Sequence, residues 1–296
     1  MAVPDRPATE AVGLPGTDRV PAFSLVLAGV ASVQVGAALA RTMFDDLGPS
    51  GTSLLRLVFA ALALALLWRP DPRRYGRAEL RLVVAFGLVL GLMNLTFYLG
   101  LARIDLGVAV TIEFIGPLAV AVVGSRRRLD LVWAALAAVG IVLLANPGGA
   151  HSVDPLGLFF VLCAAACWAG YILLAQRAGQ VFSGSQGVAM AMVVAALIPI
   201  APGIIDGGSA LLRPQLLALG LAVGLLSSAI PYSLETEALR RMPANVFGVL
   251  MSMEPAVAAL AGFLVLGQDL GVRELIAMAF VVAASAGVSI ATPPEA

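Results

Sequence analysis

The sequence has no lysine, a single histidine and only two cysteines among its 296 residues. Charged residues of both signs make up 12% of the chain, whereas a soluble globular protein carries about 25%. So few charges cannot cover a water-exposed body of this size, which excludes a soluble enzyme and a disordered regulator. The 18 basic and 18 acidic residues balance, so the net charge does not favour nucleic acid or a polyanionic partner.

The scarce metal-binding residues argue against a metal or redox site. Cys163 and Cys167 lie four residues apart in an apolar run, a spacing typical of two small apolar residues on one face of a helix. A zinc site needs about four ligands, and His151 falls in a predicted loop. The H-E-x-x-H and P-loop motifs are absent as well. We therefore expect no metal, no cofactor and no enzymatic activity.

Apolar residues are abundant: they make up 60% of the chain, and the mean hydropathy is +0.98. A membrane-spanning helix needs about 20 mostly apolar residues. The sequence predicts an all-α integral membrane protein with ten transmembrane helices, preceded by a flexible tail at 1–21 that lacks the order of a signal peptide. The predicted spans are 22–40, 49–68, 82–99, 107–123, 131–145, 156–176, 187–203, 215–234, 243–266 and 271–290.

Arginine counts in alternate loops predict the orientation of the chain. The set of loops that includes the N-terminal tail holds 13 arginines, the opposite set holds 4, and Arg56 lies inside a span. Cytoplasmic loops carry the excess of basic residues. We therefore expect both termini on the cytoplasmic side.

The sequence resembles itself across its middle. GLVLGLMN at 87–94 matches GLAVGLLS at 220–227, and IEFIGPLAVAV at 112–122 matches LMSMEPAVAAL at 250–260, with Pro117 aligned on Pro255. Each half holds five spans, in a first repeat at 22–146 and a second at 156–291. Because five is odd, the second repeat begins on the opposite side of the membrane. Inverted repeats are a signature of secondary transporters that bind their cargo near the midplane.

Four segments resemble a known family. SLLRLVFAALALALLWRP, LGVAVTIEFIGPLAVAVVGSRR, SSAIPYSLETEALRRMP and GVLMSMEPAVAALAGFLVLGQ are similar to the EamA branch of the drug/metabolite transporter superfamily. More narrowly, they resemble its inner-membrane threonine/homoserine exporters, and the similarity covers about residues 22–290. The resemblance implies ten helices in two inverted repeats around a central cavity, and efflux of amino acids or similar metabolites. It does not fix the cargo, because related members carry very different molecules.

Three ionisable residues within the predicted spans are candidates for the cargo and proton pathway, because a charge at bilayer depth is costly. Arg56 and Glu113 are both predicted about 10 Å below the same surface, so an ion pair between them is geometrically possible, as a structural link or as part of a carboxylate site. Glu254 is predicted near the midplane and directly precedes Pro255, which leaves a carbonyl without its helical donor. We interpret Glu254 as the carrier of the coupling proton, although a protonated Glu254 that only bonds a neighbouring helix is the alternative.

Neutral polar residues form a second group of candidates for the same pathway. They suit a zwitterionic cargo, but such residues also bridge helices as structural contacts. These residues are Gln34, Asn94, Tyr98, Trp168, Tyr171, Ser228 and Tyr232. We place Glu235 and Glu237 at the membrane interface, near Arg240 and Arg241.

The sequence predicts a secondary transporter that exports small metabolites, most plausibly amino acids, in exchange for protons across a bacterial inner membrane. Its expected partners are the cargo, protons and the lipid bilayer. An exporter of a drug, a purine or a sugar derivative remains an alternative. A membrane-embedded enzyme is less favoured because the metal-binding and phosphate-binding motifs are absent, and a passive channel because no charge rings or filter sequence are present.

Overall fold

The structure is a computed structural model that describes residues 20–124, 128–145, 153–182, 185–239, 241–242 and 244–291. Most of the predicted tail, Arg126, Arg127, His151 and Arg240 lie outside these residues. Helices dominate the described ranges, which contain no β-strand. The helices are α1 (Ala22–Arg41), α2 (Phe44–Trp68), α3 (Arg77–Leu101), α4 (Leu106–Glu113), α5 (Ile115–Gly124), α6 (Arg128–Ala145), α7 (Pro155–Val181), α8 (Gln186–Leu197), α9 (Ile200–Gly207), α10 (Pro214–Gly224), α11 (Ile230–Leu239), α12 (Ala244–Met251), α13 (Glu254–Leu266) and α14 (Val272–Ala291).

Several helices are long and apolar enough to cross a bilayer. Within the described ranges five meet this condition, and the bent pair Gln186–Leu197 and Ile200–Leu212, which meet at 51°, makes a sixth. The outward surface carries large apolar side chains, with Val123 at 85% and Ile205 at 81% exposure. Such a surface suits hydrocarbon and not water. The expected all-helical membrane protein is confirmed at this level.

Glycine and proline residues interrupt the helices at defined places. Gly48 has φ 65°, and the straight part of α2 begins at Pro49, as predicted. The fourth predicted span is broken at Phe114, between α4 and α5, three residues before Pro117. The ninth is broken in the same way between Met251 and Glu254, just before Pro255. A proline removes one helical donor and crowds the preceding turn, which explains why both breaks precede one.

A π-helical turn at Leu225–Ala229 joins α10 to α11 within the eighth predicted span. Such turns contain one extra residue and occur frequently at functional sites. Here the turn leaves the Leu226 carbonyl to accept a hydrogen bond from Ser32 Oγ of α1 at 2.7 Å. The eighth span is therefore continuous but changes helical phase halfway along.

The helices pack in pairs that relate the two halves of the chain. α3 lies against α7 and α8, whereas α10 and α11 lie against α1 and α2. α4 contacts α13, and α6 contacts α14. Exchanging each span for its counterpart in the other half converts this set of contacts into itself. The close approaches use the matched glycines: Gly87 and Gly91 face backbone atoms of α8, and Gly224 faces the Arg56 carbonyl of α2.

Polar contacts show which loops and helix ends lie together at each end of the bundle. The Arg-rich end is the end at which Tyr75 Oη donates to Gln186 Oε1 (2.8 Å) and Arg241 donates to the Val20 carbonyl (3.3 Å). The opposite, Arg-poor end is joined by four contacts between the halves. These are Asp46 with Arg213 (2.9 Å), Ser50 N with Asp206 (3.3 Å), Arg103 with Asp154 (3.3 Å), and Leu106 N with Gln268 (3.1 Å).

The largest cluster of buried apolar residues fills the Arg-poor end. Phe44, Tyr98, Leu101 and Leu106 belong to it, and none of them is more than 8% exposed. The bundle is therefore closed by packing at this end, and the space between its helices lies nearer the Arg-rich end.

Candidate functional site

A cavity of about 580 Å³ lies between the two halves of the bundle. It is lined by α1, α2, α3, α4, α5 and α7, by the π-helical turn with α11, and by α12, α13 and α14. Lining residues such as Gln176, Glu235 and Phe247 extend it towards the Arg-rich end. Its ionisable lining consists of one guanidinium and three carboxyls, namely Arg56, Glu113, Glu235 and Glu254.

Arg56 is held in the cavity wall by two hydrogen bonds. Its Nη1 donates to the Tyr98 hydroxyl at 3.2 Å, and its Nη2 donates to the Ser227 carbonyl at 3.1 Å. Its Cζ also lies 5.3 Å from the centre of the Tyr98 ring, within the range of a cation–π contact. A guanidinium has five N–H donors in a fixed plane, so the two bonds orient the group and leave further donors for a ligand.

Arg56 and Glu113 line the same cavity, but they do not form the direct ion pair that their similar depth made possible. Among the described residues, no salt bridge joins them within 4.0 Å. The guanidinium reaches instead to the second half of the chain through Ser227. Equal depth along two helices leaves open which way each side chain turns, and the π-helical turn presents a competing acceptor.

The carboxyls of Glu113 and Glu254 lie at the two corresponding helix breaks. Glu113 is the last residue of α4, and Glu254 is the first residue of α13. They are 9% and 5% exposed, and both line the cavity. Sequence reasoning thus placed Glu254 correctly beside a proline-broken helix. It did not predict that Glu113 occupies the equivalent break of the first half.

Glu235 corrects the sequence interpretation, which placed it at the membrane interface. Its side chain lines the cavity, and its Oε1 lies 3.7 Å from the position of a Cβ built on Gly29. The π-helical turn, which ends six residues earlier, changes the face on which Glu235 lies, and no sequence pattern reveals such a turn. Glu237 lies outside the cavity lining, is 6% exposed and pairs with Arg241 near the Arg-rich end.

Most of the neutral candidates also face the cavity. Gln34, Asn94, Trp168, Tyr171 and Tyr232 line it. Gln34 is 2% exposed, and its Oε1 has no hydrogen-bond partner. The Trp168 ring meets Phe114 edge to face, with the ring centres 5.2 Å apart.

Two predicted candidates lie behind the cavity wall. Tyr98 is fully buried and acts on the cavity only through Arg56. Ser228 is 1% exposed and is absent from the lining, where Ser227 stands instead. Ser285, which accepts a hydrogen bond from Ser252 Oγ at 2.9 Å, is a lining residue that sequence reasoning missed. A lone serine in an apolar helix gives no signal that would have found it.

A cavity that combines apolar walls with a few charged side chains, inside a helical bundle with an apolar exterior, is typical of a membrane transport protein. Within the described ranges, no group of three or more His, Cys, Asp or Glu residues could hold a metal ion, and Cys163 and Cys167 are free thiols. The lining contains an arginine and three carboxyls, which suits a small polar passenger.

Comparison with known proteins identifies the family. Residues 155–290 match the EamA-like transporter family. The threonine/homoserine exporter RhtA of Escherichia coli (strain K12) is 43% identical over 272 residues, which are 92% of each chain. The RhtA of Salmonella typhimurium (strain LT2) is 42% identical over 280 residues, 93% of this chain and 94% of that one. The chain belongs to the EamA-like transporter family, which confirms the predicted resemblance and the expectation of a transporter instead of an enzyme.

A solved structure supports the fold. One crystal structure superposes with a TM-score of 0.62 at 19% identity, covering 90% of this chain and 98% of that one. At this identity the likeness concerns the fold alone. An uncharacterized transporter of Clostridium kluyveri is more distant, at 24% identity over 54% of this chain.

Proposed function

We propose that the protein exports small amino acids of the threonine and homoserine class across a bacterial inner membrane, in exchange for protons. The observation that carries this proposal is the cavity in which one fixed guanidinium stands with three carboxyls. An amino acid carries a carboxylate and an ammonium group, and the cavity offers a complement for each. The similarity to the RhtA threonine/homoserine exporters supports the same cargo.

The architecture that we propose is ten spans in two inverted repeats of five. Helices occupy each of the ten apolar stretches, and the contacts between them are symmetric on exchange of the halves. The broken fourth and ninth spans correspond as well. Carriers of this kind place the cargo at discontinuous helices near the midplane.

Both termini are proposed to be cytoplasmic, so the Arg-rich end faces the cytoplasm. The contacts at each end of the bundle join loops that the arginine count assigns to the same side. In this orientation the cavity extends towards the cytoplasm, while apolar packing closes the outer end. Such an arrangement suits an exporter at the stage of loading its cargo.

Arg56 is proposed to bind the cargo carboxylate. Two of its donors are fixed by Tyr98 and Ser227, and a guanidinium pairs with a carboxylate through two parallel hydrogen bonds. Glu113 lines the same cavity without a direct ion pair to Arg56. We assign it to the cargo ammonium group. Trp168 and Phe114 supply an apolar wall beside it.

Glu254 is proposed to carry the coupling proton. An exchanger needs a group that is neutral in one facing state and charged in the other. Glu254 is 5% exposed, lies at a break between two helices and has no ion pair among the described residues. A helix break can move relative to its neighbours, which alters the access of water to a carboxyl at that point.

A larger cargo is the second candidate. The cavity volume of about 580 Å³ lies well within the range of pockets that hold drug-sized ligands. A drug, purine or sugar derivative would fill more of this volume than threonine does. Competition for threonine uptake by such compounds separates the two possibilities.

Transport by purified protein in proteoliposomes tests the proposal. We expect uptake of labelled threonine or homoserine against its gradient when the lumen is more acidic than the medium and the cytoplasmic face points outward. Dissipating the pH gradient is expected to abolish accumulation but not exchange. Uptake that does not depend on the pH gradient would contradict proton exchange, and failure to transport any amino acid would contradict the proposed cargo.

A further inference from the structure

A smaller chamber adjoins the main cavity towards the Arg-rich end. We call it the inner chamber; its volume is about 120 Å³. It is lined by Leu64, Trp68, Tyr171, Ser185, Val188, Tyr232, Ser233 and Glu235. Trp68 is the last residue of α2, and Ser185 directly precedes α8, so the chamber lies between the main cavity and that end of the bundle.

Three residues belong to both spaces. Tyr171, Tyr232 and Glu235 line the main cavity and the inner chamber alike. The two phenol groups hydrogen-bond each other, and the Glu235 side chain lines the same two spaces. A molecule that moves between the chamber and the main cavity therefore passes these three side chains.

The chemistry of the inner chamber differs from that of the main cavity. Among the described residues, its lining includes one carboxyl and the rings of Trp68, Tyr171 and Tyr232, but no arginine. No salt bridge of the described residues involves Glu235. A carboxylate beside aromatic rings attracts a cation, because the faces of the rings are electronegative. The main cavity, by contrast, presents the guanidinium of Arg56.

We propose that the inner chamber is a binding site for a primary ammonium group, which holds the incoming cargo before its carboxylate reaches Arg56. This rests on the proposed function, since it takes the cargo to be a zwitterion loaded from the Arg-rich end. Glu235 receives the ammonium group, and the three rings enclose the adjoining carbons. The carboxylate then points towards Arg56, the guanidinium that lines the main cavity. The chamber thus selects for a cationic group ahead of the anion site.

The fluorescence of Trp68 reports on this site directly. The sequence has three tryptophans, so Trp133→Phe with Trp168→Phe leaves Trp68 as the sole emitter in the full-length protein. We expect n-propylammonium to change its emission saturably, and sodium or propionate at the same concentrations not to do so. Glu235→Gln in this background should weaken the response about tenfold or more.

The matched control is Glu79→Gln. Glu79 is an acid at the same end of the bundle but outside both spaces, and it caps α3 by accepting from Gly76 N, a role that glutamine can keep. This variant is expected to bind n-propylammonium as the parent does. Tyr232→Leu, which keeps the carboxyl and removes one ring, should weaken binding several-fold and replaces Glu235→Gln if that variant does not fold.

The outcomes separate this proposal from the proposed cargo. A response that survives Glu235→Gln, that sodium reproduces, or that never appears overturns the ammonium site. The fluorescence titration does not require transport. A protein that binds n-propylammonium but does not transport threonine would therefore contradict the proposed cargo without contradicting the ammonium site. In a transporting protein, Glu235→Gln should raise the KM for cytoplasmic cargo about tenfold, and Glu235→Asp should restore part of it.

Discussion

The guanidinium of Arg56 connects three parts of the molecule at one point. It lies on α2, donates to Tyr98 of α3 and to Ser227 in the π-helical turn, and faces the cavity. Both acceptors are neutral, so the positive charge stays available to a ligand. The placement of Tyr98 behind the guanidinium explains why a fully buried tyrosine can affect a cavity that it does not line.

Arg56 and Glu113 are expected to be coupled through the shared cavity. Arg56→Ala leaves the buried Glu113 without the guanidinium of the cavity, and Glu113→Gln removes one of the carboxyls that balance the charge of Arg56. Because they do not touch, we expect a coupling free energy of about 1 kcal/mol in a double-mutant cycle on kcat/KM. Effects that add strictly in the double variant would show that the two side chains act independently.

Glu254→Gln mimics a permanently protonated side chain. We expect this variant to insert and fold normally, because glutamine has nearly the same shape, and to exchange cargo for cargo. Accumulation driven by a pH gradient should be lost, as measured by labelled threonine uptake in proteoliposomes. Glu79→Gln serves as the control. If Glu254→Gln vesicles still concentrate the cargo in response to the pH gradient, another group carries the proton.

The sequence identified three of the four charged residues of the cavity, because each lies within an otherwise apolar stretch. Arg56, Glu113 and Glu254 stand out because ionisable groups are rare within apolar spans. Glu235 was misplaced, because the π-helical turn rotates the end of its span by an amount that no residue pattern encodes. Ser227 and Ser228 are adjacent, so only the helical phase decides which of them lines the cavity.

At the scale of the helices, matched glycines allow two pairs of spans to approach closely. A Cβ on Gly87 would lie 2.5 Å from the Ala191 carbonyl oxygen and from Val194 Cβ, which is shorter than any tolerated contact. We expect Gly87→Ala to destabilise the protein by about 1–3 kcal/mol and to lower its Tm in detergent. Gly179→Ala is the control, since nothing lies within 4 Å of its added Cβ. Equal melting temperatures for the two variants would contradict the close packing of α3 on α8.

Asp154 caps α7 at the Arg-poor end and predicts a pH dependence of stability. Hydrogen bonds from the backbone of Gly157 and Leu156, and the neighbouring Arg103, hold the pKa of the Asp154 carboxyl below its usual range. Its contribution is therefore present above the unfolded-state pKa of about 3.9 and is lost as the pH falls through the lower folded-state pKa.

The comparison with Asp154→Asn isolates this contribution, because asparagine accepts the same backbone hydrogen bonds without titrating. We expect the variant to have the lower Tm at neutral pH and the difference to shrink as the pH falls below about 4. A difference that is constant with pH would assign the effect to packing instead of charge.

The helices themselves were largely predictable, and their interruptions only in part. Apolar length located the helices, and Pro255 predicted the break before α13. Pro49 was predicted only as the first residue of the second span. The break at Phe114 was not predicted, although Pro117 offers the same physical reason. The 51° bend between α8 and α9 falls at Pro199, a proline within the seventh predicted span whose effect on the helix was not predicted.

At the scale of the whole molecule, the two ends of the bundle differ in charge and in closure. The Arg-poor end is joined by four polar contacts between the halves and by the largest apolar cluster. In the proposed orientation, release of cargo at the Arg-poor end requires these contacts to separate while the Arg-rich end closes. Because the helix contacts are symmetric, the two halves can adopt a second arrangement, in which the Arg-poor end is open and the Arg-rich end is closed.

Reporter fusions test the orientation. The 13-to-4 distribution of arginines predicts that fusions after Arg74, Arg128 and Arg241 report the cytoplasm, because basic loops stay on that side. Fusions near Asp46, His151 and Gly208 should report the outside. A cytoplasmic signal at His151 would contradict the odd number of spans per half, and with it the inverted repeat.

The extra residue at Leu225–Ala229 also sets a limit on how this chain can change over time. Each residue of an α-helix turns it by about 100°, so losing one residue there would restore a regular helix and rotate Tyr232 and Glu235 out of their present positions in the cavity lining. Arg56 would at the same stroke lose the carbonyl of Ser227 as its acceptor. Single substitutions in this stretch can be tolerated one at a time, whereas deletion of one residue would disrupt the main cavity and the inner chamber together. The number of residues in this helical segment is therefore more tightly constrained than their identities.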